Sequence, residues 1–105
     1  MKLTNEKNFQ KDVLDKDFAV VDFYADWCGP CRVITPFLEE IKSELGIEIV
    51  KVNLDESPNL ATEYNVMSIP TLVIFKNGEK IAANVGAASK ARITDWIESH
   101  RDSRK

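Results

Sequence analysis

The sequence predicts a mixed α/β fold, with a central β-sheet flanked by helices on both faces in three layers (α/β/α). Three observations point there. Phe18–Tyr24 is an apolar run that does not alternate, as in a strand buried on both faces, and Ile47–Leu54 reads as a second internal strand. Between them, Ile34, Phe37, Leu38, Ile41 and Leu45 recur at helical spacing, so a crossover helix joins two parallel strands. Asn77-Gly78 is a hairpin signal, and it adds an antiparallel strand.

The elements follow in order. Thr4 or Asn5 can cap a first helix whose inward side is Phe9, Val13 and Leu14. Phe18–Tyr24 is the first internal strand. The long helix after it contains Pro36, which removes a hydrogen bond to the Arg32 carbonyl and predicts a kink. Gly46 ends that helix, and Ile47–Leu54 is the second strand. Ser57-Pro58 starts a short helix, with a capping hydroxyl followed by proline at the first helical position. It buries Leu60, Ala61 and Tyr64 before Asn65 stops it. Thr71–Phe75 and Lys80–Val85 form the hairpin strands. Ser89 opens a last helix with Ile93, Trp96, Ile97 and His100 on its inner side.

At 105 residues the chain is expected to be one domain over residues 1–105, with Ser99–Lys105 a frayed polar tail. Hydrophobic residues make up 44% and charged residues 30%, the mix of a globular protein with a real core. A net charge of −3, with acids and bases interspersed, argues against nucleic acid and against an anionic membrane surface as partners. The start, Met1-Lys2-Leu3-Thr4-Asn5-Glu6, turns polar at once, and no apolar run nears membrane-spanning length. The expectation is a cytoplasmic monomer. In that compartment disulfides are rarely structural, so a close cysteine pair points to catalytic or metal work.

Both cysteines lie in Trp27-Cys28-Gly29-Pro30-Cys31, where the first internal strand hands over to the long helix. Two thiols at that spacing can close a small disulfide and reopen it, which makes a reversible two-electron redox site. Two rivals are weaker. A zinc site needs more ligands than two thiols and one distant histidine, so no metal is expected without a second chain. A structural disulfide closing so short a loop removes little chain entropy.

A thiol attacks a disulfide only as thiolate. Cys28 precedes the helix and faces its unpaired amide groups, whereas Cys31 lies in the first turn, where burial disfavours charge. Cys28 is therefore expected to be the exposed nucleophile and Cys31 the shielded resolving thiol. Gly29 allows a tight turn, and Pro30 stiffens it and holds the sulfurs close.

Asp22 and Lys51 are charges inside the two internal strands, which is expensive unless they are paired or useful. If the strands are neighbours, the pair could sit beneath the cysteines, and Asp22 could take the proton from Cys31, directly or through a water. The alternative is that one or both sit at a strand edge and face solvent.

Taken together, these residues resemble a known family. Val21-Asp22-Phe23-Tyr24-Ala25-Asp26-Trp27-Cys28-Gly29-Pro30-Cys31-Arg32, then Pro36, is similar to the active-site segment of thioredoxins. The likeness continues through Val50–Asp55, Ile69-Pro70-Thr71, Phe75-Lys76-Asn77-Gly78 and Val85-Gly86-Ala87, nearly the whole chain in order. It implies a thioredoxin fold and a cis Ile69–Pro70 bond beside the dithiol. It further implies that the backbone before Pro70 pairs with an extended segment of a substrate protein. Trp27, Gly29, Pro30, Ile69, Pro70, Gly86 and Ala87 match the family's flat apolar contact surface. The other reading of Trp27 is a core tryptophan.

Tyr24 stands where many thioredoxins have tryptophan, and Arg32 where lysine is commoner. The short lead-in leaves the family's first strand stunted or absent, and His100 matches no catalytic position. The resemblance implies a protein-disulfide reductase with no bound cofactor beyond its Cys28–Cys31 disulfide. Its partners would be disulfide-containing proteins and a separate thioredoxin reductase, since nothing here resembles a nucleotide-binding loop. An oxidase or isomerase, and a non-catalytic interaction module, are the rival functions.

Overall fold

A five-stranded mixed sheet forms the middle layer, in the order β1-β3-β2-β4-β5. The computed structural model describes residues 1–101. Its strands are β1 (Lys2–Thr4), β2 (Phe18–Tyr24), β3 (Glu48–Asn53), β4 (Thr71–Lys76) and β5 (Glu79–Val85). Its helices are α1 (Gly29–Leu45), α2 (Pro58–Glu63) and α3 (Lys90–Arg101), with a π-helical turn at Gln10–Leu14. β1 and β2 flank β3 in parallel, whereas β4 is antiparallel to β2 and β5 antiparallel to β4.

Strand β2 does not alternate because both of its faces are covered. Ala19, Val21 and Phe23 meet Phe9 and Val13 of the N-terminal turn and Leu60 and Ala61 of α2. Val20, on the other face, meets Ile34, Leu38 and Ile41 of α1 and Ile93 and Ile97 of α3. Each of the larger side chains here, withdrawn fully from water, contributes roughly 1.5–3 kcal/mol before the entropy of ordering it.

The element ends have local causes. Gly46 takes φ 63°, and its N–H donates to the Lys42 carbonyl at 3.0 Å, closing α1. Asn65 takes φ 59° just beyond α2, as its role of stop signal predicts. Asn77 and Gly78 both have positive φ, the geometry of the tight hairpin turn. A side chain at position 78 would also meet the Leu14 carbonyl oxygen at 3.1 Å.

Three expectations are corrected. Thr4 is not a helix cap but the last residue of β1, in register with Val52, so the first strand is short yet formed. Its hydroxyl donates instead to Asp12, while Asn5, the other cap candidate, accepts the Asn8 N–H on its side-chain oxygen at 2.9 Å. The segment that follows forms one wide π-turn, where the Asp15 N–H reaches the Gln10 carbonyl at 2.8 Å. The Ser57 side chain makes no capping bond at α2. The Asn53 side-chain oxygen organises that turn, accepting the Asp55 and Glu56 N–H groups at 2.9 and 3.3 Å. Ser99, His100 and Arg101 are not tail but helix: the Ser99 hydroxyl donates to the Trp96 carbonyl at 2.7 Å and the His100 ring packs on Trp96. The rest of the expected tail lies outside the described residues.

Asp12 ties the sheet edge to the π-turn. It is 4% exposed and accepts from the Thr4 hydroxyl at 2.8 Å and the Lys2 ammonium at 2.9 Å. Burial pushes its carboxyl up, but the bonds from Lys2 and Thr4 and the charges of Lys2 and Lys11 outweigh burial and hold it below the ordinary 3.8. Asp12→Ala is expected to cost about 1–3 kcal/mol in a denaturant titration at neutral pH. Because the folded value is lowered, that contribution is complete above pH 3.8 and fades as acid protonates the group. An unchanged midpoint at neutral pH would show that the pin is idle.

Candidate active site

Strand β2 ends at Tyr24, and the turn that follows is closed by the Cys28 N–H donating to the Ala25 carbonyl at 3.1 Å. Cys28 is the N-cap of α1, with extended backbone, and Pro30 occupies the first turn, where its missing N–H costs nothing. The Cys31 N–H donates to the Cys28 sulfur at 3.2 Å. The two cysteines are joined as a disulfide. Sequence spacing alone placed this pair; the helix start aims free amide character at the Cys28 sulfur, where a thiolate would form.

The exposure of the pair needs correction. Cys28 is 5% exposed and Cys31 2%, so Cys28 is not openly exposed and the difference is one of degree. Ala25 completes a small buried cluster with the two sulfurs, and Tyr24, Leu54 and Ile69 pack against it. Only a sliver of Cys28 reaches the surface.

Trp27 is 68% exposed, which excludes the core reading. Its indole N–H donates to the Asp55 carboxylate at 2.9 Å, so the ring is fixed as a surface plate rather than buried. Gly29, Pro30 and Ala87 are exposed, and Ile69 and Gly86 half-buried. Pro70 is buried and is not part of the accessible face, a correction to the expected contact list. The Ile69–Pro70 bond is cis. The Gly86 N–H donates to the Pro70 carbonyl at 2.8 Å, one position past the Thr71–Val85 pair, and so joins the loops that begin β4 and end β5. Gly86 holds φ 94°, where a side chain would strain the backbone.

Asp22 and Lys51 are direct register partners across β2 and β3, so the strands are neighbours as the pairing idea requires. Asp22 is 1% exposed, and its Oδ1 is a buried oxygen without a hydrogen-bond partner. Burial drives its carboxyl up to about 7, and the charge of Lys51 opposes the rise only in part. No salt bridge joins the two: the Lys51 ammonium lies over the Tyr24 ring, 5.2 Å from its centroid. Lys51 and Cys31 share the wall of a cavity of about 400 Å³ with Tyr24, Ala25, Asp26, Arg32 and Thr35, and Asp22 is not part of that wall. Arg32 turns its guanidinium back onto the Asp26 carbonyl at 2.6 Å.

On the opposite side of the sulfurs a groove of about 370 Å³ is lined by Trp27, Leu54, Val66, Met67, Ser68 and Ile69. Val66, Met67 and Ser68 were missed in the sequence. The available signal was an apolar pair directly after the Asn65 helix stop, outside any periodic element, with Met67 94% exposed. Among the described residues, no group of three or more His, Cys, Asp or Glu side chains is placed to hold a metal ion, and no helix is long and apolar enough to cross a membrane.

The thioredoxin family model matches residues 1–99. A thioredoxin of Rickettsia felis is 45% identical over 95 residues, covering 88% of this chain and 90% of the relative. Thioredoxin 1 of a Nostoc species is 46% identical over 98 residues, covering 90% and 92%. A solved mutant thioredoxin from Halobacterium salinarum superposes with a TM-score of 0.91 at 32% identity, covering 99% of this chain and 93% of that one. With the family model matched over residues 1–99, this degree of identity and this superposition, the chain belongs to the thioredoxin family of protein-disulfide oxidoreductases, and Cys28–Cys31 is its redox-active disulfide.

Proposed function

We propose that this chain reduces disulfides in other proteins, with Cys28 as nucleophile and Cys31 as resolving thiol. The observation that carries this reading is the Cys28 sulfur at the α1 N-terminus, accepting the Cys31 N–H at 3.2 Å. In the dithiol form the Cys28 thiolate attacks one sulfur of a substrate disulfide. A Cys28–substrate bond forms, the substrate S–S bond breaks, and the first substrate thiolate leaves. Cys31, as thiolate, then attacks the Cys28 sulfur and expels the second. Two electrons pass to the substrate, and Cys28–Cys31 closes.

Asp22 accepts the Cys31 proton in the second step, and Lys51 is its charge partner. A carboxyl with a pKa of about 7 is well suited to that transfer near neutrality. Because Lys51, not Asp22, lines the cavity beside Cys31, the proton travels by way of a water. Substrate lies across Trp27, Gly29, Pro30, Ile69, Gly86 and Ala87, with Pro70 supporting that face from below. Its extended segment pairs with the backbone before Pro70. A separate thioredoxin reductase returns the dithiol. The chain acts as a cytoplasmic, monomeric single domain over residues 1–105, without bound metal or further cofactor.

Two measurements test the roles. Cys31→Ser is expected to accumulate covalent Cys28–substrate adducts that a thiol reductant releases, and Cys28→Ser to accumulate none. Equal trapping by both would reverse or void the assignment. The second concerns Asp22. Its folded pKa is raised from 3.8 to about 7, so the unfolded chain gives up that proton first, and folding loses stability as pH rises across the interval. Asp22→Ala is therefore expected to be more stable than the parent by about 1–3 kcal/mol near pH 8, with the gain gone near pH 4. It should also slow release of substrate from the mixed disulfide, by on the order of a hundredfold. Equal or lower stability at the alkaline end would contradict the buried-carboxylate account.

A further inference from the structure

The chain has two methionines, and the fold treats them oppositely. Met1 packs against the α1–α3 core with its side chain 1% exposed, whereas Met67 is 94% exposed. Met67 also stands between two adjoining hollows. One is the groove of about 370 Å³ beside Trp27 and Ile69, and the other, about 310 Å³, is lined by Ala61, Thr62 and Asn65. Met67 and Val66 line both. The first groove adjoins the sulfur cluster, because Leu54 and Ile69 line it and also pack against Cys28 and Cys31.

We propose that Met67 is an oxidisable gate on the substrate groove. Hydrogen peroxide converts its thioether to a sulfoxide, which weakens seating of the substrate segment and leaves the dithiol chemistry intact. The proposal rests on the docking surface described under Proposed function. Chemically, the peroxide O–O bond breaks and an S–O bond forms at Met67. The sulfur loses two electrons, and the second oxygen leaves as water. A flexible apolar side chain thereby becomes a strongly dipolar one, in a wall that a docked segment must cover. Covering that oxygen without a partner opposes docking.

The redox state of the site makes the reaction selective. Peroxide attacks thiolates first when they are accessible. In the disulfide form neither Cys28 nor Cys31 carries one, and both are buried. The form that builds up when recycling lags is thus the form in which Met67 is the most accessible sulfur.

The test uses the full chain as its disulfide, treated with hydrogen peroxide, with mass spectrometry locating the added oxygen. Reduction of insulin disulfides is then followed with dithiothreitol supplying electrons. One oxygen is expected on Met67 and none on Met1, with KM raised about tenfold at unchanged kcat. Methionine sulfoxide reductase should reverse the change. Met67→Leu, whatever its starting KM, should keep it through the same treatment. Oxygen on Met1 in preference to Met67, a Met67 sulfoxide with unchanged KM, or an equal rise in Met67→Leu each overturns the gate. Untreated Trp27→Ala separates the two readings. An unchanged KM there removes the docking surface itself, and a raised KM alongside an inert sulfoxide removes the gate alone.

Discussion

Strand β2 is paired along both edges and covered on both faces, and this enclosure governs the rest of the molecule. It explains why Phe18–Tyr24 is apolar without alternation, and why Asp22, set in that run, has nowhere to place its charge. A carboxyl held there resists ionisation, and the nearest cation moderates the effect without cancelling it. The strand also fixes where the chain must turn. Its last residue, Tyr24, leads directly into the loop that sets Cys28 at the start of α1.

From that start, the two sulfurs differ in their place on the helix more than in burial. The peptide groups of α1 are free at their N-terminal end, and Cys28 sits where they point. The body of α1 is held to the sheet by Ile34, Leu38 and Ile41, so its N-terminus is rigid. Trp27 is stapled to Asp55 and Ile69 leans on the sulfur cluster, leaving an apolar face around a narrow opening. Within that face Cys28 is only 5% exposed.

Lys51 illustrates that register alignment does not by itself make an ion pair. Its register position is opposite Asp22, yet its ammonium rests over Tyr24. At the other edge of the sheet, Thr4, Lys2 and Asp12 solve the same problem differently: their carboxylate is hydrogen-bonded, and its pKa falls although it is nearly as buried. Burial raises the carboxyl of Asp22, whereas hydrogen bonds and nearby lysine charges lower that of Asp12.

Local chemistry was legible from the sequence wherever one or two residues decide it. Gly46, Asn65 and Asn77-Gly78 end or turn elements through backbone conformations few other residues adopt, and an unalternating apolar run announced β2. The dithiol and its place at a strand-to-helix junction were readable for the same reason. What stayed hidden depends on who faces whom across the fold. Thr4 was taken for a cap because its partner Asp12 and its strand neighbour Val52 are distant choices of the tertiary structure. The near-equal burial of Cys28 and Cys31, the retreat of Pro70 beneath the surface, the separation of Lys51 from Asp22 and the groove at Met67 likewise have no local signature. By itself the sequence determined the elements from β2 onward and the redox pair. Exposure, partner choice and the pKa of Asp22 were decided by packing, because each depends on atoms brought together from strands and loops far apart in the chain.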